Sequence, residues 1–327
     1  MKILVIRFSS IGDIVLTTPV IRCLSNQLEN AEIHILVKPS FAPVIQNNPH
    51  ISKIWFWENG VLTKLRKEGF DYIVDLHNNL RSFRVKMALK TPGSSFYKLN
   101  VGKYLLVRFR INRLPKIHVV DRYFDAVKDL GVKNDGGGID FYPTRADEAI
   151  TDLLPFYFLQ NYTAVVCGAL QGTKSIPESK LRDFCAGIQG NLLFIGGTKE
   201  RELGESLQGF FAERSMSMCG KTTIGESAVL LKNARAVLTP DTGMMHIASA
   251  FNKPIAVIWG NTVPEFGMGP YLPKSDAAFF NSEVGDLHCR PCSKIGFSHC
   301  PKKHFNCMNL QNTERVGRWI NQVNASR

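Results

Sequence analysis

Four turns in this 327-residue chain carry side chains suited to holding an anion and moving a proton. In the stretch 235–251 a short apolar, β-branched run ends at Pro240, and Asp241-Thr-Gly-Met-Met-His246 follows it. Proline cannot extend a hydrogen-bonded ladder, and Asp241 or Thr242 is suited to cap a helix beginning near Met244. Gly243 lets a ligand approach the backbone. The free N–H groups and positive dipole end of a helix start attract a phosphate or another anion, and His246, about one turn in, would add a donor. The same residues equally fit an ordinary strand-to-helix turn, with Asp241 as the cap and His246 half-buried.

Lys174 stands in Gly168-Ala-Leu-Gln-Gly-Thr-Lys-Ser-Ile-Pro177, where it would neutralise a diphosphate leaving group. A solvated surface lysine is the plain alternative. Glu200 opens a helix after Gly196-Gly197, a position where the dipole alone favours a carboxylate, and it would also accept both hydroxyls of a ribose. Asp13 ends the turn Phe8-Ser-Ser-Ile-Gly-Asp13, either as a helix cap or as a general base. That turn has a single glycine, Gly12, where a dinucleotide pyrophosphate needs G-x-G-x-x-G, which counts against a nicotinamide or flavin dehydrogenase. His77, Asn79 and Arg81 follow another apolar run and read either as the lining of a cleft or as an exposed loop.

Turns of this kind need strands to lead into them. Apolar runs predict strands at 2–7, 32–37, 51–56 and 72–76, with helical patterns over 14–28 and 61–68. Apolar residues at helical spacing continue over 120–130, closed by Gly131, and a further helix is predicted over 145–154. Pro155 and the aromatic run after it mark a boundary, giving domains 1–157 and 158–327. A second series then begins, with strands at 163–167, 192–195, 216–219, 236–239 and 255–259, and a last helix from Thr313. Alternation of this kind predicts an α/β protein of two Rossmann-like domains, each a parallel sheet with helices on both faces and ligands at the carboxyl ends of its strands.

The chain carries 40 Lys and Arg against 28 Asp and Glu, a net charge of +12, which implies anionic partners. Ten of those cations and no acid fall between Leu76 and Val120, and the part of that segment over 94–116 has no clean period. An anionic acceptor or a membrane surface suits it better than nucleic acid, because no nucleic-acid-binding motif accompanies the charge. Arg7 interrupts an N-terminal apolar run too short for a signal peptide, and no run is long enough to span a membrane, so a cytoplasmic protein is expected. Cysteines in that compartment do not build disulfide frameworks. Cys289-x2-Cys292-x7-Cys300-x6-Cys307, with His288, His299 and His304 nearby, reads either as a structural zinc site or as a buried thiol cluster without metal.

The motifs Ser9-Ser-Ile-Gly-Asp13, Lys174-Ser-Ile-Pro177, Glu200 after paired glycines, and Asp241-Thr-Gly-Met-Met-His246 occur in one order and spacing. Over nearly its whole length the chain resembles family-nine glycosyltransferases, the lipopolysaccharide heptosyltransferases with a GT-B-type fold. The resemblance implies two Rossmann-like domains facing a cleft, the first holding the acceptor and the second the nucleotide sugar. It implies Asp13 as general base and Lys174 balancing diphosphate charge. Donor contacts would come from Gly12, Glu200, Asp241, Thr242, Gly243 and His246, with His77, Asn79 and Arg81 on the acceptor side. It further implies inverting transfer of a heptose, from ADP-heptose, onto an anionic lipid-linked acceptor of the lipopolysaccharide core at the inner face of the cytoplasmic membrane, with no catalytic metal. Ala169 and Leu170 stand where other heptosyltransferases have hydroxyl residues, which leaves phosphate contacts there to backbone N–H groups. The residues also fit transfer of another nucleotide-activated sugar, a nucleotide-sugar epimerase of similar fold, or a basic nucleotide- or membrane-binding protein without turnover.

Overall fold

The computed structural model describes residues 1–159, 161–273 and 277–326. They form two compact units, Met1–Leu99 with Ile117–Tyr142, and Asn100–Lys116 with Pro143–Arg327. In chain order the first half runs β1 (Lys2–Ile6), α1 (Ile11–Val15), α2 (Thr18–Gln27), β2 (Glu32–Val37), β3 (Lys53–Phe56), α3 (Val61–Glu68), β4 (Tyr72–Asp75), α4 (Leu80–Leu89), β5 (Gly93–Ser95), α5 (Asn100–Phe109) and α6 (Val119–Tyr123). The second half runs α7 (Arg145–Glu148), β6 (Tyr162–Val166), α8 (Glu178–Ala186), β7 (Asn191–Ile195), α9 (Arg201–Phe210), β8 (Ser215–Ser217), α10 (Ile224–Asn233), β9 (Ala236–Pro240), α11 (Gly243–Ala250), β10 (Ile255–Trp259), β11 (Phe279–Glu283), α12 (Asn306–Asn309) and α13 (Thr313–Ala325).

Both sheets are parallel throughout, in the orders β3-β2-β1-β4-β5 and β11-β10-β9-β6-β7-β8. The central strands read as unbroken apolar runs because helices cover both faces: Ile3 to Ile6 of β1 and Ile255 to Ile258 of β10 are fully buried. Each such side chain contributes about 1.5–3 kcal/mol by leaving water. In each sheet the chain winds outward to one edge, returns to the centre and winds to the other. The two reversals, between β1 and β4 and between β6 and β9, leave adjacent carboxyl ends from which the connections part in opposite directions, the place where doubly wound sheets bind ligands.

Departures from the predicted elements have local causes. The turn predicted at 77–81 gives way to α4, because Asn79 caps it: its Oδ1 accepts from the N–H groups of Arg81 and Ser82, and Ser82 Oγ lies 2.9 Å from the Asn79 N–H. The helix predicted over 120–130 is α6 followed by two 3-10 turns, closed as expected by Gly131 in the left-handed region at φ 73°. Neither β5 nor β11 has the apolar run that announces a parallel strand, since each lies at a sheet edge. The basic segment, left without an assignment by its sequence, contains α5, whose Leu106 is buried with Val263 and Phe266 of the second unit. The residues between Pro143 and the boundary expected at 157 also lie in the second unit. Lys232 pairs there with Glu148 at 3.2 Å, and Thr223 Oγ1 lies 3.5 Å from Asp147 Oδ1.

Gly93 illustrates how closely β5 approaches β4: a Cβ there would stand 2.3 Å from the Ile73 carbonyl oxygen. Replacing it, Gly93→Ala, is expected to lower stability by about 1–3 kcal/mol through overpacking. A urea midpoint equal to that of the parent chain would refute the close approach.

Candidate active site

In the second unit, β6 and β9 lie side by side at the reversal, and each delivers one charge. The chain leaving β6 carries Lys174, and the turn leaving β9 carries Asp241; Lys174 Nζ stands 2.6 Å from Asp241 Oδ2, with both side chains largely buried. Thr262, after β10, donates its hydroxyl to the same Oδ2 at 2.7 Å. Asp241 is therefore committed to an ion pair and does not cap the helix. Thr242 occupies the N-cap position without a side-chain hydrogen bond, and α11 begins at Gly243. The first N–H groups of α11 thus have no capping side chain at the N-cap, and Asp241, the residue before it, carries the Lys174 ammonium. His246, one turn in, is buried rather than half-buried.

Glu200 lies on the next turn of the same sheet. Its Oε2 accepts from the Gly197 N–H at 2.8 Å, so the carboxylate does serve the helix start. It also reaches the turn after β6: a Cβ on Gly168 would meet Glu200 Cδ at 2.4 Å, and glycine is what lets the two turns close on each other. Lys174, Asp241 and Glu200 thus come from three strands that are consecutive in the sheet, β9-β6-β7.

The first unit repeats the scheme with different groups. Arg7 follows β1 and is buried, donating to the Ser9 carbonyl at 2.9 Å, to the Tyr123 hydroxyl at 3.1 Å and to the Leu76 carbonyl at the end of β4. Its Nη2 stands 2.6 Å from Asp13 Oδ1. Asp13 Oδ2 accepts from the Ser10 hydroxyl at 2.9 Å and the Ser10 N–H at 3.3 Å, so capping and ion pairing coexist in one carboxylate. Burial works against its charge, but the Arg7 guanidinium and Ser10 overcome that and hold Asp13 below the usual carboxylate range. The sequence marks Arg7 as the end of a strand and as a break in the N-terminal apolar run, not as a site residue. A cation closing an apolar run just before a turn is the signal that could have singled it out, as Thr262 had none.

His77 packs edge-on against Phe8 with ring centroids 5.0 Å apart, and its Nδ1 is buried with no hydrogen-bond partner. Burial, with Arg7 and Lys98 adding to it, pulls its pKa down to about 4, so the ring is neutral at neutral pH. Asp75, fully buried, accepts from the N–H groups of His77 at 3.0 Å and Asn78 at 2.7 Å and so sets this turn. Asn79 is brought to the same loop but spends its carbonyl oxygen on the α4 cap. Arg81 is exposed on the first turn of α4.

Cys289, Cys292, Cys300 and Cys307 are free thiols that line one small cavity with His304, whose Nε2 is 3.8 Å from Cys289 Sγ. Among the described residues no group of three or more His, Cys, Asp and Glu side chains is arranged to hold a metal ion. The spacing therefore brings the four thiols together without setting them in coordination geometry.

Residues 61–296 match glycosyltransferase family 9 (heptosyltransferase). Lipopolysaccharide heptosyltransferase 1 of Campylobacter coli is 25% identical over 294 residues, 80% of this chain and 84% of that protein. The glycosyl transferase family 9 structure from Veillonella parvula superposes with a TM-score of 0.77 at 18% identity, over 100% of this chain and 98% of that one. E. coli ADP-heptose lps heptosyltransferase II gives 0.74 at 18% identity, over 100% and 99%. Those two likenesses agree with the expected fold, two parallel-sheet α/β domains of the GT-B type.

The depressed His77 pKa has a sign that can be checked. Between its ordinary 6.5 and about 4 the unfolded chain takes up a proton that the folded chain refuses, so stability falls as pH drops through that window. Asp13, with a folded pKa below its ordinary value, loses its stabilising contribution only at lower pH. Replacing His77 by Gln is expected to remove part of the loss in urea midpoint between pH 7 and pH 4; an unchanged pH dependence would contradict the buried, neutral ring.

Proposed function

The chain belongs to glycosyltransferase family 9, the heptosyltransferases, and from that premise we propose that it transfers a heptose from ADP-heptose onto a lipopolysaccharide inner-core acceptor, with inversion at the anomeric carbon. The observation that carries this reading is the Lys174–Asp241 pair beside the uncapped start of α11, at the reversal of the second sheet. A diphosphate fits there because it completes what the turn leaves open. One N–H of the Lys174 ammonium engages Asp241, leaving two for phosphate oxygens, and the backbone around Thr242 and Gly243 supplies further donors. His246 is buried in the same helix, and Glu200 takes the ribose hydroxyls; Gly12, buried in α1 of the first unit, is not placed at this turn.

Asp13 accepts the acceptor's hydroxyl proton as that oxygen attacks the anomeric carbon from the face opposite the diphosphate. The carbon–oxygen bond to ADP breaks, and Lys174 with the α11 start balances the charge that develops on the leaving phosphate. Arg7 keeps Asp13 ionised but also makes it a weak base, so proton transfer must accompany carbon–oxygen bond formation rather than precede it. Exposed Arg81 and neutral His77 serve the acceptor side, and Asn79 acts there through the backbone it caps.

The membrane part of the reading rests on α4. Leu80, Phe83 and Met87, 82%, 55% and 61% exposed, fall at i, i+3 and i+7 on one stripe beside Arg81 and Arg84. Apolar side chains among cations suit the headgroup region of an anionic leaflet. No described helix is long and apolar enough to cross a membrane. The α4 stripe supports a peripheral contact with the cytoplasmic face of the inner membrane as the proposed location.

Incubation with ADP-heptose and a heptose-free lipopolysaccharide acceptor should give acceptor-dependent ADP release and a heptosylated product of inverted configuration, with Lys174→Met reducing kcat by roughly 100- to 1,000-fold. ADP release at the same rate without acceptor would overturn transfer. Changing Leu80, Phe83 and Met87 together to Ser should weaken binding to phosphatidylglycerol vesicles more than about tenfold; undiminished binding would remove α4 from the membrane contact.

A further inference from the structure

Four strand ends of the first sheet bring their side chains into one row. In the register of that sheet Ile6 lies beside Leu36 and beside Asp75, and Leu36 beside Trp55. Two residues further along each strand come Phe8, Lys38, His77 and Trp57. Extended backbone returns a side chain to the same face after two residues, and Lys38 is still extended at φ −74° and ψ 144°. The Lys38 N–H donates to the Phe8 carbonyl at 3.1 Å, and the Trp57 N–H to the Val37 carbonyl at 2.8 Å, so these ends stay side by side beyond the strands. Phe8 is the fully buried floor of the row; the Trp57 ring packs on it with centroids 4.9 Å apart, and the His77 ring at 5.0 Å.

Above that floor the polar groups are unspent. Trp55, two residues earlier on β3, gives its indole N–H to His34 at 3.1 Å. Among the described residues none accepts from the Trp57 indole N–H or from the Lys38 ammonium, and none bonds His77 Nε2; all three residues are only half-buried, and these atoms are open to solvent. The carboxylates of the same rim are already engaged, Asp13 by Arg7 at 2.6 Å and Asp75 by Lys86 at 3.3 Å. An aromatic face with a polar edge, an imidazole and an unpaired ammonium complement a pyranose that has apolar C–H faces, a rim of hydroxyls and an acidic substituent. We propose that Trp57 and Lys38, with His77, seat the acceptor sugar: the indole covers one C–H face, its N–H and His77 Nε2 bond ring hydroxyls, and Lys38 takes a carboxylate or phosphate carried by that sugar. The row adjoins the general base, because Phe8 directly follows Arg7, the partner of Asp13. Trp57 and Lys38 thus determine which acceptor is held, and take no part in the proton transfer.

This inference rests on the acceptor reading of the first unit, and the test separates the two. With heptose-free lipopolysaccharide as acceptor, Lys38→Met and Trp57→Ala should each raise the acceptor KM roughly tenfold or more, with the ADP-heptose KM and kcat within about twofold of the parent chain. The Lys38→Met penalty should vanish on acceptor stripped of its phosphates or on acceptor with its carboxylates esterified, and the treatment that abolishes it identifies the acid. A penalty that survives both treatments overturns the role of Lys38. Should Trp57→Ala fail to fold, Trp57→Phe, which keeps a ring on Phe8 and loses only the N–H, should raise the acceptor KM roughly threefold. In the parent chain without donor, titration with acceptor should quench tryptophan emission, and Trp57→Phe should lose that change. Transfer with an unchanged acceptor KM in Lys38→Met and Trp57→Phe overturns the seat and leaves the transferase reading standing. Saturable quenching by acceptor in a chain that transfers no heptose sinks the transferase reading and leaves the seat standing.

Discussion

The Lys174–Asp241 contact at 2.6 Å is the interaction on which the chemistry proposed for the second unit depends. Taking two charges out of water is costly, and such a pair persists only where further hydrogen bonds satisfy it. Here the Thr262 hydroxyl satisfies Asp241, while Phe297 accepts from the Thr173 N–H and Arg290 donates to the carbonyls of 260 and 262, fixing the backbone on either side. The same commitment of Asp241 leaves α11 without a side-chain cap, and an anion can take the place a cap would fill. Loss of either partner would leave the other charge buried and uncompensated, so geometry and stability are tied together at this turn.

The first unit solves a similar problem with opposite emphasis. Its Arg7–Asp13 pair also stands at 2.6 Å at the reversal of a parallel sheet, but there the cation is the buried anchor and the carboxylate is the group left partly open. Arg7 ties the ends of β1 and β4 to Tyr123 of α6, so the position of Asp13 is inherited from three elements at once. One sheet thus presents a carboxylate held ionised, the other an ammonium held in place. Those are the two charges that an acceptor hydroxyl and a departing diphosphate require.

The strands that carry these groups were legible from sequence because parallel strands buried on both faces cannot be anything but apolar runs, as in 2–6 and 255–259. Elements without that pattern were not: β5 is Gly-Ser-Ser at an edge, and α4 is announced only by the Asn79–Ser82 cap. Site chemistry divides the same way. Lys174, Glu200 and Asp241 stood out by type and by place at strand ends, but the pairing of Lys174 with Asp241 depends on β6 and β9 being neighbours, which no local pattern records. Thr262 and Arg290 act through contacts 21 and 28 residues distant in sequence and carried no local signal at all.

A crystal structure of the chain with ADP measures the central claim most directly. The account predicts the β-phosphate within about 3 Å of Lys174 Nζ and of a backbone N–H at the start of α11, with the ribose beside Glu200. A nucleotide bound instead at the Arg7–Asp13 turn, or with its phosphates away from α11, would contradict it.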